Sequence, residues 1–105
     1  MFDKFLTEAL GTFIFLFIII SSVNASGESD NSLAWIKIGL GLGVVILLTK
    51  YISGGHLNPA VSFMFYLNND INAQTLLVYI LGQLLGATLA YAYFTYVKQI
   101  YPSSL

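Results

Sequence analysis

An all-α membrane protein of three transmembrane helices and one shorter re-entrant half-helix is the fold class this sequence predicts. Three observations predict it. Of its 105 residues, 57% are hydrophobic and 9% charged, whereas a soluble domain carries about a quarter charged residues. Three apolar segments are each long enough to cross a hydrocarbon core of about 30 Å. A fourth, beginning at Asn58-Pro59, is apolar but covers only about half that distance as a helix.

The first segment runs from about residue 5 to 24, some 20 residues or about 30 Å of helix. It exceeds the roughly 7–15 apolar residues of a signal peptide, and Glu8 and Thr12 inside it are foreign to such a segment, so it is expected to stay as a helix. Asn24-Ala25-Ser26 fits a glycosylation sequon, but so close to the apolar run that it is taken as coincidence. The linker "ASGESDNS" is polar and acidic, and is expected on the water side. The second segment, about 33–52, opens with Trp35 and Lys37 and closes with Lys50 and Tyr51, the aromatic anchors and snorkelling lysines of two membrane interfaces. The third, about 73–97, ends among Tyr91, Tyr93, Phe94, Tyr96 and Tyr101, an aromatic belt.

Between the second and third segments lies "ISGGHLNPAVSF". Asn58 can cap a helix, and Pro59 suits the first helical position, where its missing N–H costs nothing. The preceding glycines permit a tight turn or a close backbone approach. The loop and half-helix, about 53–67, are expected to enter and leave by the same membrane face. Irregular backbone at that depth must be buried in protein or line a water-filled cavity. A helix start placed there offers free N–H donors and a positive dipole end. A surface amphipathic helix would instead carry Lys or Arg on its polar face, and this stretch has neither.

Composition excludes several functions. The net charge of −1 and the lack of any basic run argue against nucleic acid. With no cysteine and one histidine, no metal or cofactor is expected, and no catalytic cluster has a recognisable spacing. An enzyme is not expected.

The segment "SGGHLNPAVS" resembles the first Asn-Pro-Ala loop of the aquaporin and glycerol-facilitator family, the major intrinsic proteins. "EALGTFIF" is similar to the family's first helix, "GLGLGVVIL" to its glycine-bearing second, and "YILGQLLGA" to its third. The resemblance covers nearly the whole chain, as one aquaporin-like half-repeat over 1–105. Family members are about twice as long and hold two inverted repeats, whereas this sequence has one Asn-Pro-Ala. The resemblance therefore implies a pore completed by an inverted second chain, either another copy or a partner carrying the second repeat. By the family's habit four such units, eight chains, would associate in the lipid bilayer. Lys4 and Lys50 fall on one side of the expected topology, Lys37 and Lys98 on the other. That even count gives no orientation preference, in keeping with dual topology and antiparallel self-pairing.

The implied function is a passive channel for water or small uncharged solutes such as glycerol. Asn58, Pro59 and Ala60 would sit at the pore centre, with the Asn58 amide donating into the pore. His56 and Gly55 would line one mouth, with loop packing the alternative for His56. Where the family places an aromatic and an arginine at its outer constriction, this chain offers Ile38 and Val61, with Ile46 from the partner, so the mouth is expected to be apolar and poorly discriminating. Lacking cysteine, it should resist mercury. Glu8 and Gln83 would hold the loop. Gly39, Gly43, Gly82 and Gly86, at small-xxx-small spacings, would pack helices. Two rival functions remain at this stage: a dual-topology proton-coupled exporter using Glu8, and a non-conducting structural protein.

Overall fold

The computed structural model describes residues 1–24 and 33–102, so the linker, with the Ala25 and Ser26 of the sequon, lies outside the described residues. Four helices follow in order: α1 (Phe2–Asn24), α2 (Ala34–Thr49), α3 (Pro59–Leu67) and α4 (Ala73–Ile100). By length and composition α1, over Phe2–Val23, and α4 can cross a membrane. The apolar α2 has 16 residues, about 24 Å.

Helix boundaries follow from local chemistry. α2 stops at Thr49, short of the segment predicted to reach about 52. The Thr49 hydroxyl donates to the Val45 carbonyl at 2.7 Å, while the Thr49 carbonyl accepts from both Ile52 and Ser53 backbone N–H groups. This tight turn replaces the last helical residues. α3 starts with Asn58 as cap, its Oδ1 accepting from Ala60 N at 2.8 Å, and Pro59 in the first turn. It ends in a Schellman motif. Asn69 adopts φ 64°, and the N–H groups of Asp70 and Asn69 bond back to the Phe65 and Tyr66 carbonyls, satisfying carbonyls that the helix end leaves open. Asn72 then caps α4, accepting from Thr75 N at 2.8 Å. With no proline between Asn72 and Pro102, α4 continues three residues beyond the predicted 97.

α1 packs against both α4 and α2, and α3 lies on α4. The α1–α4 crossing is close because α4 presents glycines to it. A Cβ on Gly82 would stand 2.8 Å from the Phe5 carbonyl oxygen, and one on Gly86 would stand 2.9 Å from the Phe13 nitrogen. Without a hydrophobic force between helices in lipid, backbone approach at small residues supplies the dispersion contact. Gly41 does the same for α2, where a Cβ would meet Ile18 at 2.9 Å.

Polarity is inverted relative to a soluble fold. The largest fully buried side chains are Gln83, Glu8, Val45 and Ser62, while Trp35, Leu40, Leu47, Leu48 and Tyr91 are exposed. In water the reverse holds, with Leu and Phe inside and Glu almost never fully buried. Such a surface suits hydrocarbon as its solvent.

Candidate functional site

The site is a loop held by one carboxylate. After the turn that ends α2, Gly54 and Gly55 take φ 88° and 64°, and Leu57 takes φ 57°. Left-handed φ is open to glycine but costs a leucine of order 1–2 kcal/mol. The surroundings hold Leu57 there: its N–H donates to Glu8 Oε1 at 2.8 Å, and its side chain sits over Gly11, where a Cβ would come within 2.6 Å of Leu57 Cδ2.

Glu8, 0% exposed, accepts from four donors. Oε2 takes the Ser53 hydroxyl at 2.6 Å and the His56 N–H at 3.1 Å. Oε1 takes the Leu57 N–H and the Gln83 Nε2 at 2.8 Å each. All four bonds tie Glu8 to the loop and to α4. Two of those donors are backbone N–H groups that a loop outside any helix would otherwise leave unpaired. Gln83 reaches Glu8 because neighbouring Gly82 lets α4 approach, with a Gly82 Cβ position 3.4 Å from Glu8 Cβ.

The network continues outward. Gln83 Nε2 also donates to Ser62 Oγ at 2.9 Å. Ser62 Oγ lies 2.9 Å from His56 Nδ1. The His56 ring is stacked on Phe65 at 4.7 Å between centroids and meets the edge of Tyr79 at 4.8 Å. The Tyr79 hydroxyl donates to the Ser53 carbonyl at 2.6 Å.

These contacts present the loop's end rather than its middle. Gly55, His56 and Leu57 are buried, while Asn58, Pro59 and Ala60 are exposed at the start of α3. Gly55 is seated on α2, where a Cβ would lie 3.3 Å from the Ile46 Cα. Asn58 and Pro59 border a cleft of about 340 Å³ with Thr12, Phe15, Gln83 and Leu84. Ile38, Ile46 and Val61 are half-buried and do not line that cleft. Gly39 and Gly43 are exposed on α2, with nothing within 4 Å of a Cβ at either, so within this chain α2 packs through Gly41 instead. Ser53, Ser62 and Tyr79 belong to the network but were not singled out from the sequence. Nothing in the spacing of these serines and this tyrosine announces partners 21, 26 or 45 residues away.

The model of the Major intrinsic protein family matches residues 1–103. Among curated proteins, the chain is 38% identical over 94 residues to the glycerol uptake facilitator protein-like 6 of Lactiplantibacillus plantarum, covering 85% of this chain and 41% of that protein. It is 42% identical over 84 residues to the propanediol uptake facilitator PduF of Salmonella typhimurium, covering 76% and 32%. With aquaporin NIP1-1 of Arabidopsis thaliana it shares 34% identity over 94 residues, covering 86% and 32%. The chain thus spans between 32% and 41% of the length of these relatives. No significant match was found among solved structures.

Proposed function

The chain belongs to the major intrinsic protein family and is an integral membrane protein, and on that premise we propose that two copies pair in opposite orientations as one passive channel for water and small uncharged solutes such as glycerol. In this reading α2 is the third span. The loop and α3, nine residues or about 14 Å long, enter and leave by one face, so the start of α3 lies near the midplane.

The observation that carries the proposal is the way Glu8 takes the buried loop N–H groups while Asn58-Pro59-Ala60 stays exposed. Backbone at membrane depth must be met by protein or line a water-filled cavity, and Glu8 meets the His56 and Leu57 N–H groups. Asn58 Oδ1 is occupied by Ala60 N, which leaves the amide hydrogens to donate to a passing water or hydroxyl. Two such helix starts facing each other would place two positive dipole ends at the centre and oppose cations. One copy leaves Asn58 facing hydrocarbon, at a cost of several kcal/mol for each unmet polar group, and a second copy removes that cost. The two-against-two lysine count across the topology favours neither orientation. Ile38 and Val61 of one copy with Ile46 of the other would form an apolar constriction, with four pairs, eight chains, as the assembly. A separate partner carrying the second repeat is the alternative completion.

Glycerol and propanediol in the names of the facilitator relatives support small polyols beside water as solutes. Proton-coupled export through Glu8 is disfavoured, because Glu8 is fully buried, bonded to the loop and Gln83, and does not line the cleft that Asn58 borders. The test is glycerol and water entry into proteoliposomes with and without a proton gradient. The proposal expects rates well above protein-free vesicles and equal in both conditions. Flux that requires the gradient contradicts it.

A further inference from the structure

Among the described residues, two buried side-chain polar atoms have no partner: Gln83 Oε1 and Thr12 Oγ1. The residues are 1% and 2% exposed, and both line the cleft that Asn58 and Pro59 border. Their isolation follows from their neighbours. The Gln83 amide cannot be turned to cure it. Its nitrogen faces Glu8 Oε1, which also accepts from the Leu57 N–H, so the oxygen points the other way. Thr12 is equally distinctive. Thr7, Thr49 and Thr88 each return their hydroxyl to the carbonyl four residues back, at 2.7, 2.7 and 2.8 Å, the habit of threonine within a helix. Thr12 does not, so its hydroxyl is free to serve something else.

We propose that this cleft holds a resident water molecule that donates to Gln83 Oε1 and bonds Thr12 Oγ1. A buried polar group left dry is costly, and enclosed waters sit where two or more such groups meet in a space large enough to admit one. Here an acceptor, a hydroxyl that can donate or accept, and the Asn58 amide border one cleft whose other walls, such as Phe15 and Leu84, are apolar. The water is shielded from bulk, as the two atoms are. The inference rests on the channel reading only for its setting at the membrane midplane. The water site is a property of the single chain.

The test is a structure of the protein in lipid at a resolution that shows waters, for wild type, Thr12→Val and Thr12→Ser. The expected result is one ordered water within about 3.2 Å of Gln83 Oε1 and Thr12 Oγ1, retained in Thr12→Ser and lost in Thr12→Val. If Thr12→Val does not fold, the wild-type and Thr12→Ser density decides the question. Gln83 Oε1 bonded to a protein atom of either copy, or both atoms left dry, overturns the inference. Osmotic permeability measured on the same preparations keeps the two ideas apart. The water present without flux contradicts the channel alone, and flux without the water contradicts this site alone.

Discussion

Glu8 is where a single atom decides the fate of the loop. In Glu8→Gln an amide NH2 replaces one oxygen, so one pair of donors meets another donor instead of an acceptor. Leaving buried donors unmet costs about 1–3 kcal/mol, and with the NH2 in the place of Oε1 Leu57 loses the bond that helps hold it at φ 57°. The expected outcome is a lower unfolding temperature in lipid together with loss of flux, read by thermal unfolding beside osmotic shrinkage. Tyr79→Phe removes only the bond to the Ser53 carbonyl. It is expected to cost about 1 kcal/mol, the net worth of one hydrogen bond, and to leave the protein folded. At this scale the sequence was informative wherever a residue was out of place. A glutamate inside an apolar run and a glutamine on an apolar helix both asked for partners, and they are each other's partners at 2.8 Å. Ser53, Ser62 and Tyr79 were illegible because each is ordinary where it stands. The 48 residues between Glu8 and His56 close only once the helices pack.

Among the elements, glycine spacing foretold close packing but not which glycines would pack within the chain. Gly82 and Gly86 press on the α1 backbone, while Gly39 and Gly43 meet nothing. Small-xxx-small spacing marks a face that permits approach, and only the fold says what approaches it. Gly82→Val should therefore force α4 from α1, at the 1–3 kcal/mol or more typical of overpacking, and draw Gln83 off Glu8. Gly39→Ala should leave the stability of the chain unchanged within about 0.5 kcal/mol, the range of an open site. Thermal unfolding of the two variants in the same lipid checks both. Helix existence was legible from apolar length, and the half-helix start from Asn58-Pro59. The end of α2 was not, because Thr49 is apolar enough in context to continue a span, and its hydroxyl and carbonyl instead turn the chain.

For the molecule as a whole, the arrangement of polarity carries the functional reading: charge and hydrogen bonding inside, leucine and aromatic side chains outside. That much was legible from composition, whereas partner and orientation are set by contacts beyond one chain. With no cysteine in the sequence, Asp70→Cys places one label on the exposed turn after α3. Dual topology predicts about half of it reacting from each side of sealed vesicles, and labelling from one side only would contradict antiparallel self-pairing. The most direct measurement of the central claim is stopped-flow osmotic shrinkage of proteoliposomes containing this chain alone, for water and then glycerol, beside Val61→Trp. Shrinkage well above that of empty vesicles, abolished by a tryptophan at the mouth of α3, is the predicted result. Wild-type protein that is folded and incorporated yet no faster than empty vesicles would contradict a pore made from two copies of this chain.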